Sequence, residues 1–239
     1  MPARRPGSDK PREIRLESLA AEAVEGTVVI IDVFRAFTVA AVALNRGARQ
    51  IIMVGSLDEA LRLRAAGQGD FCIGERNSVK PPEFDFGNSP AELERADVVG
   101  KTLIQTTTNG TTGILAARRA ECIYAGAFVT AEATVRAILR AAPATVTLVA
   151  MGREGRDRAD EDELYALYLR SRLEGRRPDA AAIQALLATM TPPVDPALLK
   201  NGDADPRDRE IAARIDSVPF PVRVRLIGDR LVATLDKGS

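Results

Sequence analysis

The sequence predicts an α/β fold of three layers, in which helices cover both faces of a largely parallel sheet. One observation is that apolar, β-branched runs alternate along the chain with helical stretches of about ten residues. Another is the run of residues 27–33, whose apolar character is typical of a strand buried on both faces. Near the C-terminus, residues 222–226 and 230–234 flank Gly228-Asp229, which predicts an antiparallel hairpin that we expect at the sheet edge.

The first half of the chain contains two clear helices. An apolar-rich helix is predicted over residues 36–45, and Ser56 is a suitable N-cap for an amphipathic helix over residues 57–66. The pattern of residues 14–23 does not decide between strand and helix. A long loop rich in proline, glycine and asparagine covers residues 74–90. The strands of this half are expected at residues 27–33, 50–54, 70–73 and 102–105.

The second half continues the alternation. A turn and helix over residues 106–119 follow the fourth strand, and further strands are predicted at residues 121–125 and 144–151. This spacing favours parallel strands joined by helices. The remaining helices are expected at residues 131–141, 162–173, 178–190 and 208–215.

The domain organisation follows from composition along the chain. We expect residues 1–12, which are rich in proline and arginine, to be a disordered lead-in. Residues 13–239 are long enough to bury an ample core, and we expect a single α/β domain. Two subdomains divided near residues 140–155 are the alternative.

The composition excludes several classes of function. Lysine plus arginine (33) balance aspartate plus glutamate (33), so we expect no nucleic-acid partner. The sequence contains no histidine, which removes Ser-His-Asp catalysis, phosphohistidine chemistry and the commonest zinc ligand. Acid–base and metal chemistry therefore fall to carboxylates, lysine, tyrosine or bound water. We expect Cys72 and Cys122 to be buried, reduced thiols.

The location of the protein is predicted from its apolar runs. No run reaches the roughly 18 apolar residues of a membrane span, so we expect no membrane association. Residues 1–15 are polar and lack the apolar segment of a signal peptide. A cytoplasmic protein is the expectation.

Polar side chains follow most of the predicted strands. Ligands of open α/β sheets bind beyond the carboxyl ends of the strands, so these side chains are candidates for one site. Asp32 is the clearest candidate, because a carboxylate that ends an apolar run must be paired, solvated or metal-bound. A structural ion pair with Arg35 is the alternative. The other candidates at strand ends are Glu75, Arg76, Asp85, Asn88, Ser89, Glu161 and Asp162.

A turn rich in threonine lies between the fourth strand and its helix. Backbone N–H groups and a helix N-terminus at such a corner suit an anion, and threonine hydroxyls add donors. The alternative is an ordinary cap and turn, since the same residues are preferred at any strand-to-helix corner. Acids, arginines and this turn together would suit a Mg²⁺ ion holding a phosphate. The turn consists of Thr106, Thr107, Thr108, Asn109, Gly110 and Thr111.

The order and spacing of four motifs resemble the 2-phosphosulfolactate phosphatase family. The resemblance extends to Gly126, Gly152 and Glu161-Asp162 and covers residues 25–235. It implies a three-layer α/β fold and a Mg²⁺-dependent phosphatase that converts 2-phospho-3-sulfolactate to sulfolactate and phosphate, a step in coenzyme M synthesis. It also implies a homo-oligomer, for which we expect a dimer. The four motifs are residues 32–36, 74–76, 84–90 and 106–111.

The chain departs from the family pattern at several positions. Phe37 stands where many relatives carry threonine or serine, and Thr130 stands where an asparagine is usual. Residues 196–212 match poorly and lack the histidine expected near them. These departures bear more on the identity of the substrate than on the chemistry.

Our hypothesis for the reaction is in-line attack of water on a phosphate monoester. Asp32 would hold Mg²⁺ with help from other acids of the strand ends. Those acids are Glu75 and Asp162, with Asp85 as a further option. Either Asp85 or Glu161 would orient or deprotonate the water.

The substrate would be bound by arginines, hydroxyls and amides. Arg35 and Arg76 would neutralise charge as it shifts onto the leaving oxygen, or bind the sulfonate and carboxylate of the substrate. The threonine-rich turn would cradle the phosphoryl oxygens. Asn88 and Ser89 are further candidates for phosphate binding.

Three alternatives stay open from the sequence. One is a covalent route with Asp32 as nucleophile, although Phe34 stands where aspartyl-phosphate phosphatases carry their second aspartate. Another is a phosphatase for a different small phosphorylated acid. The third is a non-catalytic anion- or nucleotide-binding module, which has little use for several acids beside its ligand. A P-loop nucleotidase is poorly supported, because the turn lacks the lysine of the Gly-Lys-Ser/Thr motif.

Overall fold

The structure, a computed structural model, describes residues 13–19, 21–22, 24–153, 156–190 and 196–237. The lead-in expected at residues 1–12 lies outside the described residues. Strands within the described ranges form one sheet. They are β1 (Glu13–Ser18), β2 (Thr27–Ile31), β3 (Gln50–Met53), β4 (Phe71–Gly74), β5 (Thr102–Thr106), β6 (Cys122–Gly126), β7 (Thr145–Ala150), β8 (Val222–Ile227) and β9 (Arg230–Leu235).

Helices fill most of the connections between strands. The helix predicted at residues 36–45 is found with the same bounds, and Ser56 caps the next helix by accepting the N–H of Glu59. None of the helices described is both long and apolar enough to cross a membrane. They are α1 (Ala36–Asn45), α2 (Leu57–Ala65), α3 (Pro90–Arg95), α4 (Gly110–Ala116), α5 (Ala131–Ala141), α6 (Asp160–Leu173), α7 (Ala180–Met190), α8 (Pro196–Asn201) and α9 (Asp208–Ala212), with a 3₁₀ turn at Phe128–Thr130.

The sheet consists of two parallel halves joined by an antiparallel hairpin. Its order is β1-β7-β2-β6-β8-β9-β3-β5-β4, in which β8 pairs with β6 and β9 pairs with β3. The predicted three-layer α/β class and the hairpin are therefore confirmed, but the expected position of the hairpin at the sheet edge is wrong. It lies in the middle because each parallel half offers it an unpaired edge strand, and a local sequence pattern does not reveal such distant pairing.

The sheet curls strongly, which brings its two halves face to face. If the sheet were flat, β2 and β5, five strand spacings apart, would be separated by about 24 Å. Instead Gln105 of β5 donates from Nε2 to the carbonyl of Ala36, 3.0 Å away at the start of α1. A β-carbon on Gly113 of α4 would lie 2.8 Å from Cγ2 of Ile30 on β2. The carboxyl ends of β2 and β5 therefore border one hollow.

Helix α1 fills the concave side of the curled sheet. It packs in one apolar cluster with residues of both halves, such as Ile30 of β2 and Met53 of β3. The convex side is covered by α2 on the half with β3, β4 and β5, and by α5 and α6 on the half with β2, β6 and β7. Val29 and Ile31 face this outer layer, while Val28 and Ile30 face α1. Burial on both faces explains the apolar run of β2.

Some features differ from the sequence prediction. The undecided segment begins with strand β1, and the predicted loop ends in the short helix α3, which Ser89 caps by accepting the N–H of Glu92. Strands on both sides of the boundary suggested near residues 140–155 belong to the same sheet, since β1 and β2 both pair with β7. Cys72 is buried, Cys122 is half-buried, and both are free thiols.

Candidate active site

The curled sheet encloses a polar cavity of about 180 Å³ beyond the carboxyl ends of β2, β4, β5 and β7. Parallel strands end at the same edge of each half, and the curl brings the two edges together. A larger cavity of about 630 Å³ lies near the start of β2, at the opposite edge. The smaller one, here named the acid cavity, is lined by Asp32, Phe34, Arg35, Glu75, Asn77, Ser78, Asn88, Thr108, Asn109, Gly152, Arg153, Glu161 and Asp162.

Asp32 is buried in the acid cavity, with 6% of its surface exposed. Its Oδ1 accepts the N–H of Ala36, 3.1 Å away in the first turn of α1, so the helix start supports the carboxylate. Burial, together with the negative charges of Glu75 and Glu161, raises the pKa of Asp32 to about 7, although N–H groups of Ala36 and Gly110 oppose the shift. Asp32 is thus a carboxylate for which a nearby cation would be favourable.

Arg35 does not neutralise this acid. Its Nη1 donates to Oδ2 of Asp208, 2.9 Å away, and to the carbonyl of Asp203, 3.0 Å away. The alternative of a structural ion pair between Asp32 and Arg35 is therefore wrong. Arg35 still lines the acid cavity, so its remaining N–H groups are available to a ligand.

Glu75 is held by three donors on the other wall of the cavity. The backbone N–H and the hydroxyl of Thr108 donate to its Oε1 and Oε2, at 2.7 and 2.9 Å. The N–H of Ser78 adds a bond of 2.7 Å to Oε2. Both oxygens of Glu75 are therefore engaged. Ser78 and its neighbour Asn77 both have a left-handed backbone; the N–H of Ser78 donates to Glu75, and that of Asn77 donates to the hydroxyl of Thr108, 3.1 Å away in the turn after β5.

The threonine-rich turn commits most of its donors to acids and to itself. The N–H groups of Thr107 and Thr111 each donate to the other residue's hydroxyl, at 2.9 and 3.1 Å. The N–H of Gly110 supports Asp32. Most N–H groups of the turn are therefore bonded within the protein and are not free to bind an anion. Thr108 and Asn109 are the residues of the turn that line the cavity.

Glu161 and Asp162 are neighbours at the start of α6 but have different hydrogen-bond partners. Asp162 accepts the N–H of Val33 at Oδ1, 2.8 Å away, and the N–H of Gly152 at Oδ2, 3.0 Å away. It therefore clamps the loops after β2 and β7. Glu161 is 3% exposed, and its Oε1 lies 3.7 Å from Nη2 of Arg153. Its Oε2 is buried without a hydrogen-bond partner among the residues described.

Arg76 and Arg153 are the other arginines near the cavity. Arg76 donates from Nη2 to the hydroxyl of Thr106 and to the carbonyl of Gly55, which places it behind the cavity wall. Arg153 lies at the cavity mouth with half of its side chain exposed. Sequence reasoning gave Arg153 no role, although its position directly after β7 is the signal that could have found it.

The residues of the acid cavity fit a magnesium ion. Asn88 Oδ1, like Glu161 Oε2, is a buried acceptor that no donor in the described part of the chain reaches. Mg²⁺ prefers oxygen ligands and needs only one or two carboxylates, the rest coming from water and a substrate phosphate. Asp32 with Asn88 Oδ1 meets that need and leaves Glu161 Oε2 as a free acceptor, although no three His, Cys, Asp or Glu among the described residues form a ready-made metal site. Glu75 and Asp162, also predicted as ligands, have both oxygens engaged and act as supports.

Besides Arg76 and the turn residues other than Thr108 and Asn109, two further predicted site residues do not line the cavity. Asp85 is exposed; its Oδ2 accepts the N–H of Cys72, near the start of β4, and pairs with Arg64, both at 2.8 Å. This position contradicts the catalytic role predicted for Asp85. Ser89 does not line the cavity: its hydroxyl donates to Oδ1 of Asp208, 2.6 Å away, and accepts the N–H of Glu92 as the cap of α3.

Comparisons with known proteins agree on one family. The family model described as 2-phosphosulpholactate phosphatase matches residues 14–201. A probable 2-phosphosulfolactate phosphatase of Thermotoga petrophila is 40% identical over 130 residues, 54% of this chain and 55% of that protein. Those of Thermoplasma acidophilum and Thermus thermophilus are 34% and 36% identical, over 64% of this chain and 68% and 64% of theirs.

The matched stretch spans about half to two thirds of the length of these relatives. The family match is broader on this chain, because it runs from β1 to α8 and includes every strand that borders the acid cavity. The resemblance predicted from the ordered motifs is thereby confirmed. This chain belongs to the 2-phosphosulpholactate phosphatase family.

Proposed function

We propose that this chain is a Mg²⁺-dependent phosphatase of a small phosphorylated acid, with 2-phospho-3-sulfolactate as the first candidate substrate. The observation that carries the proposal is the group of buried acids around one cavity, where burial and neighbouring charges raise the pKa of Asp32 to about 7. Such a group favours a cation, which in turn draws a phosphate. The names of the relatives supply the substrate class.

Asp32 and Asn88 would hold the ion, with water and a substrate oxygen completing its ligands. When bound, Mg²⁺ would neutralise phosphoryl charge and polarise the phosphorus–oxygen bonds. Arg35 would bind the phosphoryl group through the N–H groups of Nε and Nη2, because Nη1 is engaged elsewhere. Arg153, exposed at the mouth, would meet the carboxylate or sulfonate of the substrate.

Glu161 is the residue that would receive a proton. Its buried Oε2 would accept a proton from the attacking water as the water oxygen bonds to phosphorus. The ester bond between phosphorus and oxygen breaks in the same displacement, and the leaving oxygen takes a proton from solvent. Glu161 takes this role in preference to Asp85, which lies outside the cavity.

A phosphatase for a larger phosphorylated acid is a second candidate. A cavity of about 340 Å³ adjoins the acid cavity and shares Asn77, Thr108 and Asn109 with it. Ala116 and Met151 give this second space an apolar lining. A substrate with an apolar extension would therefore find room beside the acids.

The test is release of inorganic phosphate from a panel of phospho-acids, with Mg²⁺ and with EDTA. The panel contains 2-phospho-3-sulfolactate, 2-phospholactate, phosphoglycolate and longer phospho-acids with apolar chains. We expect turnover that EDTA abolishes, fastest for the first substrate or, under the second candidate, for a longer one. Calorimetry that finds anion binding without Mg²⁺ dependence, together with no turnover on the panel, would favour a non-catalytic binding module.

Assembly and location stay predictions. The resemblance implies a homodimer, and a cytoplasmic location is our expectation from the sequence. Light scattering on the purified protein measures the first, and imaging of a labelled chain in cells measures the second.

A further inference from the structure

Asp208, a buried acid to which sequence reasoning gave no role, joins two walls of the acid cavity. It begins α9 and is 1% exposed. Its Oδ1 accepts the hydroxyl of Ser89 at 2.6 Å and the N–H of Ala91 at 3.1 Å. Its Oδ2 accepts Nη1 of Arg35 at 2.9 Å and the N–H of Asp205 at 3.0 Å. One carboxylate thus ties the end of β2 to the start of α3.

Asp203 strengthens the same connection. Its carbonyl accepts Nη1 of Arg35 at 3.0 Å, and its Oδ1 accepts the N–H of Lys80 at 2.8 Å. Lys80 belongs to the loop that carries the cavity wall between β4 and α3. Residues 203–208, which follow the family match at residues 14–201, therefore hold both sides of the cavity mouth.

The bonds from this segment decide where Arg35 can act. A guanidinium is a rigid plane with five N–H donors, so two bonds at Nη1 fix the plane and leave Nε and Nη2 free to bind a ligand. Arg35 and Asp32 line the same cavity, and an arginine without its own partner would be drawn to the acids there. Pairing with Asp208 keeps the guanidinium at the rim.

We propose that Asp208 is a positioning residue for phosphate binding, in that it orients Arg35 toward the phosphoryl group and keeps it from pairing with Asp32. The inference rests on the proposed phosphatase function, but its test does not need turnover. Removal of the Asp208 charge would release Arg35 from its ion pair and weaken the binding of a phosphate group.

The experiment compares Asp208→Asn, Arg35→Ala and the double variant with the wild-type chain. Affinity for inorganic phosphate in Mg²⁺ is measured by calorimetry, and kcat and KM are measured where turnover is found. We expect Asp208→Asn to weaken phosphate binding and lower kcat/KM by about 10- to 100-fold, since small misplacements have effects of that size. The double variant should bind phosphate no worse than Arg35→Ala.

Glu94→Gln is the matched control. Glu94 joins α3 to the same C-terminal segment through Arg207 and Arg214, both at 2.7 Å, without contacting the cavity. The Glu94→Gln variant should be less stable than the wild type but should bind phosphate with the wild-type affinity. If Asp208→Asn does not fold, Arg35→Lys tests the same point, because an ammonium cannot bind Asp208 and a phosphate through a rigid plane.

The proposal is overturned if Asp208→Asn binds phosphate within about twofold of the wild type, or if the effects of the two single variants multiply in the double variant. Phosphate binding that depends on Arg35 and Asp208 in a chain without phosphatase turnover would support the positioning role while refuting the proposed function.

Discussion

Gly110 lies directly against Asp32: a β-carbon on Gly110 would stand 2.9 Å from Oδ2 of Asp32 and 2.7 Å from the β-carbon of Ala36. The backbone after β5 therefore meets the acid after β2 with no space for a side chain between them. This approach brings the N–H of Gly110 to the carboxylate. The two halves of the sheet meet at this residue.

Gly110→Ala should lower both stability and phosphatase activity, because the added methyl group must displace Asp32 or the turn. Overpacking of this kind costs about 1–3 kcal/mol, and we expect kcat/KM to fall by about 10- to 100-fold. Thermal unfolding and phosphate release measure the two effects. Gly87→Ala is the control, since an added β-carbon there finds its nearest atom at 3.4 Å. Wild-type behaviour of Gly110→Ala would contradict the close approach.

Asp32→Asn should remove Mg²⁺-dependent turnover and leave the fold intact. The amide keeps an oxygen for the N–H of Ala36 but loses the charge that would hold the ion. We expect kcat to fall by about 100- to 1000-fold, with a circular dichroism spectrum like that of the wild type. Asp58→Asn, at an exposed acid in the first turn of α2, serves as the control. Retained turnover in Asp32→Asn would refute the assignment of the site.

The buried acids predict a fall in stability as the pH rises. Burial raises the pKa of Asp32 to about 7, and burial followed by the charge of Asp32 raises the pKa of Asp162 well above its ordinary range. Both carboxyls bind protons more tightly in the folded chain, so their contribution to stability is present below about pH 4 and is lost as the pH rises through about 7. In EDTA, Tm should therefore be lower at pH 8 than at pH 5.5.

Two further measurements separate this effect from general pH sensitivity. Asp32→Asn should flatten the dependence of Tm on pH, because the neutral amide does not titrate. Mg²⁺ should raise Tm more at pH 8 than at pH 5.5, since the ion competes with protons for the same carboxylates. Parallel Tm curves for the wild type and Asp32→Asn would show that Asp32 is not the titrating group.

Glu161 and Asp162 should respond differently to substitution. Asp162→Ala leaves the buried N–H groups of Val33 and Gly152 unpaired, which costs about 1–3 kcal/mol for each group, so Tm should fall steeply. Glu161→Gln keeps the volume and removes the proton acceptor, so Tm should stay near that of the wild type while kcat falls by about 100-fold or more. A large Tm loss in Glu161→Gln with unchanged kcat would reverse the two roles.

Local pattern was sufficient to predict most elements of the fold. The bounds of α1 follow from its apolar run, and the start of α2 follows from the Ser56 cap. The place of the hairpin could not be predicted in this way, because Leu231 pairs with Met53, a residue roughly 180 positions earlier in the chain. The strand β1 was undecided because it is short and its residues are mostly exposed.

The sequence predicted those site residues whose type is unusual for their position or that belong to a family motif. Asp32 stands out because it is a charged residue at the end of an apolar run. Glu75 was predicted because it lies in the family motif at residues 74–76. Which acceptors are engaged depends on neighbours from distant loops, so the sequence did not separate Asp162, with two bonded oxygens, from Glu161, with one free oxygen. Asp208 has no local signal, since Arg35 and Ser89, the partners that connect it to the site, lie more than 100 residues away.

The central hairpin also sets the order in which this protein can mature. Without residues after 221, the strands that precede Asp32 and Glu75 belong to two groups with no strand between them, because β8 pairs with β6 and β9 pairs with β3. The complete sheet therefore depends on pairing between residues far apart in the chain, which forms slowly. We expect phosphatase activity to appear only after synthesis has passed the hairpin.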